Sequence, residues 1–358
     1  MSDNQRFDIV RYPSTSNRSL KSWNAADSLT LNYLEENTFE GRPIIYHDLF
    51  GFFSCFLSEF NPINITEYKS QETAIQRNRI RNSLPEPSLF HVTDEILHQS
   101  DLAIIRVPKS MGLFRMYLQS AIKNIRTNGT IVCGFMTRHF NPTMLKVAGE
   151  YFDNVEQSRA WKKSRLVILS GKKESIPEIQ LENIPSQFGD LKQYPGVFSS
   201  QKIDIGTLFL LDHLDVQDTE QTILDLASGN GILAKAAARL QPSAEIHLMD
   251  DSWLAMESSK LNLKDVNAHF HHADTLDVFE DFYFDLVISN PPFHFGFENN
   301  IEISLSLFNG VLQKLKSGGR FKLVANRHLN YGIHLKKMFS SVQVVAQNKK
   351  FEILEAIK

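Results

Sequence analysis

Asn290, Pro291, Pro292 and Phe293 stand in a row, and each suits one task in handling an amino group on a flat ring. An asparagine side-chain oxygen and the Pro291 carbonyl both accept hydrogen bonds, so together they can take both protons of one –NH2 group. Prolines have no N–H and a fixed φ, which keeps such carbonyls aimed. Phe293 offers a face for a planar base, a stacking contact worth about 1–3 kcal/mol. An amine held this way can turn its lone pair, otherwise delocalised into the ring, toward an electrophilic methyl. On its own the tetrapeptide also fits a proline turn with an incidental aromatic. Its weight depends on the elements that position it.

Those elements alternate. Gln221–Leu226 is a short apolar run carrying Asp225 near its end, followed by the small-residue turn Ala227-Ser228-Gly229-Asn230-Gly231 and an alanine-rich helix to Leu240. Ala244–Met249 is a second strand pattern ending at Asp250-Asp251, Trp253–Asn262 is helical, and His269–His271 begins a weak strand. Phe284–Ser289 is a strong strand directly ahead of Asn290. Ile301–Leu315 then reads as a helix closed by Ser317-Gly318-Gly319 before a strand at Arg320–Ala325. This is the alternation of a doubly wound parallel α/β sheet. A strand ending in an acid, a tight turn and a helix make a nucleoside or phosphate site. Asp250, 25 residues after Asp225, stands where a carboxylate accepts from ribose hydroxyls. Asp274 stands where an adenine amino group needs an acceptor. The turn lacks the third glycine of a dinucleotide site and the Gly-Lys-Ser/Thr of a P-loop. A nucleoside without a pyrophosphate is indicated, and S-adenosylmethionine fits.

The N-terminal half repeats this grammar. Asp101–Lys109 aligns with Asp285–Phe293 without a gap, and a helix, a glycine turn, an apolar strand and Arg-His follow in both halves (Arg138-His139; Arg327-His328). Pro43–Gly51 is a worn copy of Ile223–Gly231. The separations agree, 58 residues from Asp48 to Arg106 and 65 from Asp225 to Asn290. The pattern reads as an internal duplication, with domains at 1–175 and 196–358 and a charged, proline-containing linker at 176–195. In the first copy Arg106, Val107 and Lys109 replace Asn290, Pro291 and Phe293, so the acceptors and the ring are gone.

Asp225–Gly231, Asp250, Asp274 and Asn290–Phe293 resemble the motifs of amino-methylating S-adenosylmethionine-dependent methyltransferases. Gly196-Val197-Phe198-Ser199 with Asp204-Ile205-Gly206, Val324–Leu329 and Lys349-Lys350-Phe351 narrow the resemblance to bacterial rRNA guanine-N2 methyltransferases with tandem domains. Ser22–Asp27 and Ala160–Leu166 are more similar to the large-subunit members than to the small-subunit ones. The resemblance implies two tandem Rossmann-like class I methyltransferase domains, the N-terminal one degenerate. It implies a cofactor site of Phe198, Asp225, Ala227, Gly229, Gly231, Asp250, Asp274 and Asn290, with Phe198 closing over S-adenosylmethionine. It further implies that Asn290, Pro291, Pro292 and Phe293 hold the N2 amine of a guanine in 23S rRNA. The family usually has glycine at Ala227, and often cysteine at Ser228. A methyl at 227 is tolerable if φ stays negative, and it would narrow the pocket. The competing readings are a small-subunit rRNA enzyme, an adenine-N6 DNA or glutamine-N5 protein methyltransferase, and a binding module that has lost its cofactor.

Composition agrees with a two-domain globular chain. There are 358 residues, 42% hydrophobic and 22% charged, with two cysteines, both in apolar stretches, so no disulfide framework is expected. The polar start and short apolar runs point to a soluble cytoplasmic protein. Net charge is −3, but residues 1–190 carry 22 basic and 21 acidic side chains against 16 and 20 in 191–358. Arg77, Arg79 and Arg81 recur at alternate positions, and with Arg106 and Lys109 they are candidate rRNA phosphate contacts in the half without chemistry. Six cations also fall between Arg159 and Lys173. His269, His271 and His272 are too close on one strand to converge on a metal, so none is expected. A duplicated chain needs no second copy, and a monomer is expected.

Overall fold

The computed structural model describes residues 6–15, 17, 19–200, 202–291 and 301–358. The chain forms two compact units, Met1–Gln180 and Leu181–Lys358. The first contains β1 to β7 at Ile44–Tyr46, Ile63–Thr66, Ser88–His91, Ser100–Arg106, Ile125–Met136, Phe152–Gln157 and Ser164–Lys172. The second opens with a hairpin, β8 (Glu182–Ile184) and β9 (Leu191–Gln193). Its main sheet holds β10 to β16 at Thr222–Leu226, Glu245–Asp250, Ala268–His272, Phe284–Ser289, Leu315–Asn326, Ser341–Gln347 and Phe351–Ile357.

Both sheets have seven strands in one order, β3-β2-β1-β4-β5-β7-β6 and β12-β11-β10-β13-β14-β16-β15. In each, the first five strands run parallel and the last two close the edge antiparallel. Strand order reverses beside β10, the switch point at which open α/β sheets bind ligands beyond the carboxyl ends of their strands. β10 and β13 are covered on both faces, and Ile223, Leu224, Leu286, Val287 and Ile288 are fully buried. That is why their sequences read as continuous apolar runs rather than alternations.

Two expectations change in detail. The Ser317-Gly318-Gly319 segment is not a turn between helix and strand but a bulge inside β14. Phe284 pairs with Leu315 and Leu286 with Arg320, so the intervening residues loop out. β5 does the same, with Ser100 opposite Ile125 and Leu102 opposite Thr130. A Cβ on Gly129 would lie 2.3 Å from the Ile125 side chain, which is why that bulge takes glycine. The boundary between units falls inside 176–195. The later part of that stretch is folded, since Ile184 and Leu191 sit in the core of the second unit. Both cysteines are buried thiols, and among the described residues no helix is long and apolar enough to cross a membrane.

One buried charge cluster joins the antiparallel edge to the parallel strands. Arg320 on β14 donates to Glu220 at 2.7 and 2.9 Å, to Asp215 at 2.9 Å and to Glu355 on β16 at 2.8 Å. Removing one partner of a buried cluster strands the others. Arg320→Ala is expected to lower the stability of the second unit by about 3–5 kcal/mol, read as a downward shift of its transition in thermal and urea unfolding of the full chain.

Candidate active site

The site grows from the ends of β10, β11, β12 and β13. β10 delivers Asp225, which is fully buried. Its Oδ2 accepts the Ala234 amide at 2.9 Å, tying the strand to the first turn of the helix Ile232–Leu240. Between them Ala227, Gly229 and Gly231 adopt φ of 59°, 57° and 81°. A Cβ on Gly231 would meet Leu263 at 2.6 Å, so glycine there is fixed both by backbone and by space. Ala227 does not keep the negative φ that would make its methyl tolerable. The methyl is carried in left-handed backbone, at a cost of about 1 kcal/mol relative to glycine.

Asp250 at the end of β11 clamps the turn. Its Oδ2 accepts from the Gly229 amide and its Oδ1 from that of Ser252, both at 2.8 Å. Ser228 N donates to Met249 O at 3.1 Å. Asp274 lies two residues past β12, and Asn290 immediately past β13. The carboxamide of Asn290 is oriented by its donors. Nδ2 gives one hydrogen bond to Thr207 Oγ1 at 2.8 Å and one to Asp204 Oδ2 at 3.2 Å. A carboxylate only accepts, so Nδ2 must face Asp204 and Oδ1 must face away. Asp204 also caps the helix Ile205–Leu211 through the amides of Gly206 and Thr207. Sequence reasoning used Asp204 only as part of a resemblance and passed over Thr207. The available signal was an N-cap aspartate with threonine three residues later.

Four buried polar atoms here have no hydrogen-bond partner: Asp225 Oδ1, Ser228 Oγ, Asp274 Oδ2 and Asn290 Oδ1. Buried acceptors are rarely left unmade without reason. Burial, with the Asp250 charge assisting, pushes the Asp225 carboxyl up to about 7 against the pull of the Ala234 amide, and burial also raises Asp250. The cradle is thus rich in acceptors and suits a ligand bearing ribose hydroxyls, amino groups and a positive charge. S-adenosylmethionine has all three. Pro291 is buried; Pro292 and Phe293 lie outside the described residues. Phe198 is 66% exposed, six residues ahead of Asp204.

The first unit has the same turn with different contents. His47 and Gly51 take φ of 64° and 79°, matching Ala227 and Gly231. The amides of Phe52 and Ser54 are capped by Asp48 at 2.9 and 2.8 Å, so the carboxylate comes from inside the turn and fills it. Phe52 and Phe53 are buried behind it. Arg106, at the position of Asn290, places Nη2 3.5 Å from Oδ2 of the buried Asp27. Asp27 is the third residue of its helix after the cap, as Thr207 is of its own.

Several of the candidate RNA contacts are already engaged within the first unit. Arg106 faces Asp27 through Nη2, and its Nη1 is buried without a hydrogen-bond partner. Arg79 is 2% exposed and donates to the Pro85 carbonyl at 2.6 Å and the Ser54 carbonyl at 2.5 Å. Arg77 and Arg81 are exposed, but Arg77 lies over the Tyr12 ring at 4.3 Å and Arg81 pairs with Asp8 at 3.1 Å. All three arginines lie on the helix Lys69–Arg81, where alternate residues point in nearly opposite directions; they form no row. Lys109 is exposed. His269, His271 and His272 do not converge as a set. His269 and His271 share a face with Glu245 and His247 of β11, and the ligand atoms of Glu245, His247 and His269 lie within 4.8 Å of one another. His272 turns the other way, to Asp251 O. The cluster lies toward the start of β11, whereas Asp250 is at its end.

The family described as Methyltransferase small domain matches residues 189–355, and that described as RLMG N-terminal domain matches 1–174. A protein of Shewanella sp. (strain ANA-3) named Ribosomal RNA large subunit methyltransferase G is 34% identical over 98% of this chain and 97% of its own. This chain belongs to that family. A member of the same name from Vibrio vulnificus (strain YJ016) is 31% identical over 99% of this chain and 98% of its own. Among solved structures, the T. thermophilus 16S rRNA N2 G1207 methyltransferase (RsmC) in complex with AdoMet and guanosine superposes with a TM-score of 0.78. It is 20% identical and covers 99% of this chain and 98% of its own, so the tandem fold is common to both. In this member of the large subunit methyltransferase G family, the small-domain match spans the whole Asp225–Asn290 cradle. The N-terminal match spans the sheet that holds Arg106.

Two measurements check this geometry. Asp225 has a folded-state pKa raised above its unfolded value near 3.9. Its contribution to stability is present below about pH 4 and lost as pH rises toward 7. Asp225→Asn keeps an acceptor for Ala234, so wild type should lose up to about 4 kcal/mol relative to the variant over that window. Parallel urea titrations between pH 4 and 8 would show it, and stability curves of the same shape for both proteins would contradict it. Ala227→Gly is expected to raise stability by about 1 kcal/mol without weakening cofactor binding, as judged by melting and calorimetry.

Proposed function

We propose that the second unit transfers a methyl group from S-adenosylmethionine to the exocyclic N2 of a guanine in large-subunit (23S) rRNA. The carrying observation is Asn290: its Nδ2 is pinned by Thr207 and Asp204, and its Oδ1 is buried without a partner. A pre-oriented acceptor is what an –NH2 substrate needs, because no strong base is required when the amine is held in line. The cofactor supplies the electrophilic methyl. Asp250 accepts from its ribose, Asp274 from its adenine amine, and Asp225 faces its cationic end, with Ala227, Gly229 and Gly231 leaving room and Phe198 covering it. The Pro291 carbonyl accepts a hydrogen bond from the second amine N–H and Phe293 stacks on the base; the methyl leaves S-adenosylhomocysteine behind, and the proton shed by the methylated amine passes to water. The guanine has to leave its stack to enter, which favours an unpaired nucleotide.

Support for rRNA comes from the names of the relatives. Support for guanine N2 comes from the shared tandem fold of RsmC, an N2 G1207 methyltransferase. The choice of 23S over 16S follows the relatives alone. The same reading has the two units, Met1–Gln180 and Leu181–Lys358, as copies of one ancestral unit acting as a cytoplasmic monomer without a metal.

The test is transfer of tritiated methyl from S-adenosylmethionine onto protein-free 23S rRNA, 16S rRNA, DNA and a glutamine-bearing protein, followed by mapping of the labelled nucleotide. Label on guanine N2 of 23S rRNA is expected; label on adenine N6 or on protein would contradict the reading. Asn290→Ala should lower the rate roughly 10²–10³-fold. Thr207→Val, which only frees the carboxamide to turn, should lower kcat roughly tenfold with cofactor affinity unchanged. Equal losses in kcat and cofactor affinity would mean that Thr207 acts through the fold instead.

A further inference from the structure

Each unit carries a lysine pair at an equivalent hairpin tip, and the site above uses neither. In the first unit Trp161 and Ser164 pair across a two-residue turn between β6 and β7, with bonds of 3.0 and 2.8 Å. The two residues at the tip, Lys162 and Lys163, have φ of 44° and 61°. Such turns select Asn-Gly, because both residues lie in left-handed backbone. Lysine is a poor choice for folding here, and a strained exposed residue points to a role beyond the fold. Both lysines are exposed, and Lys162 Nζ lies 4.5 Å from the centroid of the Trp161 ring.

The tip is fastened to a second cationic turn. Lys163 O accepts from the Thr137 amide at 2.8 Å and from its hydroxyl at 3.1 Å. Thr137–His139 is a short helix directly after β5, and it presents the exposed Arg138, whose Nε donates to His139 Nε2 at 2.9 Å. Lys109 is near enough for its charge to lower the His139 pKa, after burial and Arg138.

The second unit repeats the arrangement with other residues. Lys349 and Lys350 form the exposed tip between β15 and β16, held by Asn348 Oδ1, which accepts from the amides of Lys350 and Phe351 at 2.8 Å. Lys350 O accepts from the Arg327 amide at 3.0 Å. Arg327–Leu329 follows β14 as Thr137–His139 follows β5, with Arg327 and His328 exposed. Ser289 pairs with Leu323, so Arg327 lies at the same sheet end as Asn290, one strand over.

We propose that each lysine tip, with the Arg-His turn beneath it, is a phosphate-binding platform that holds the backbone of the RNA substrate. The proposal rests on the rRNA reading above. Exposed ammonium and guanidinium groups on a rigid turn beside an aromatic ring suit a phosphodiester chain, whose contacts position a strand without reading its sequence.

The experiment compares the full-length chain with K162N/K163G and with K349Q/K350Q, using a protein-free 23S rRNA fragment over a series of salt concentrations. K162N/K163G gives the turn its preferred residues, so its melting temperature should hold or rise while RNA affinity falls about tenfold. The slope of log K against log salt should shrink by about 1.5, because two fewer phosphates are neutralised. K349Q/K350Q should lose affinity similarly, and both variants should bind S-adenosylmethionine as wild type does. If wild type binds and methylates the RNA and both variants match its affinity and slope, the platforms are overturned while the activity stands. If wild type neither binds nor methylates rRNA, the functional reading fails and the platforms fail with it.

Discussion

The contact between the end of β13 and the first turn of the helix that precedes β10 decides what each unit can do. In the second unit it is built on an uncharged amide: Asn290 Nδ2 donates to Thr207 and Asp204, leaving Oδ1 buried without a partner. In the first unit the equivalent positions are Arg106 and Asp27, an ion pair taken out of water. A guanidinium has no acceptor to give an amine, and its buried partner holds it in place because separating the two would strand both charges. One substitution pair thus changes a junction with a free amide oxygen into a buried ion pair. Burial also drives His47 beside it to a pKa of about 3, with Arg106 adding to the effect, so that imidazole stays neutral.

The glycine turn depends on a second constraint of the same kind. The helix after β10 needs a carboxylate for its amide at Ala234, and Asp225 supplies it from the strand with one oxygen, Oδ2. Asp48 supplies the equivalent bond to Ser54 from within the turn. Both solutions satisfy the helix, and both keep left-handed backbone at two matching positions, His47 with Ala227 and Gly51 with Gly231. Asp225 keeps Oδ1 without a partner, whereas both oxygens of Asp48 are used on amides. Retention of fold and loss of the site are therefore compatible, since backbone geometry and ligand chemistry are carried by different atoms.

Much of this was legible in the chain. The alternation of buried runs and small turns implied the sheet, and the gapless match of Asp101–Lys109 to Asp285–Phe293 anticipated two sheets of identical order. The placement of Asp225, Asp250, Asp274 and Asn290 at or just past strand ends was legible from their spacing behind apolar runs. What escaped was orientation. Arg77, Arg79 and Arg81 look like a row in sequence, yet a helix turns about 100° per residue, and one of them is a core strut. Thr207 escaped because an N-cap turn is usually read only as a helix start. The φ of Ala227 escaped because a small residue in a glycine loop carries no sign of which backbone region it occupies. The glycine bulges in β5 and β14 look like turns, since sequence does not distinguish a looped-out segment from a chain reversal.

The central claim is that amine recognition belongs to Asn290 and that the first unit is closed to both ligands. A crystal structure of the chain with S-adenosylhomocysteine and guanosine tests it most directly. The account predicts one nucleoside pair per chain, with guanine N2 within hydrogen-bond distance of Asn290 Oδ1 and the adenosine ribose on Asp250. Either ligand beside Arg106, or a guanine whose N2 faces away from Asn290, would contradict it.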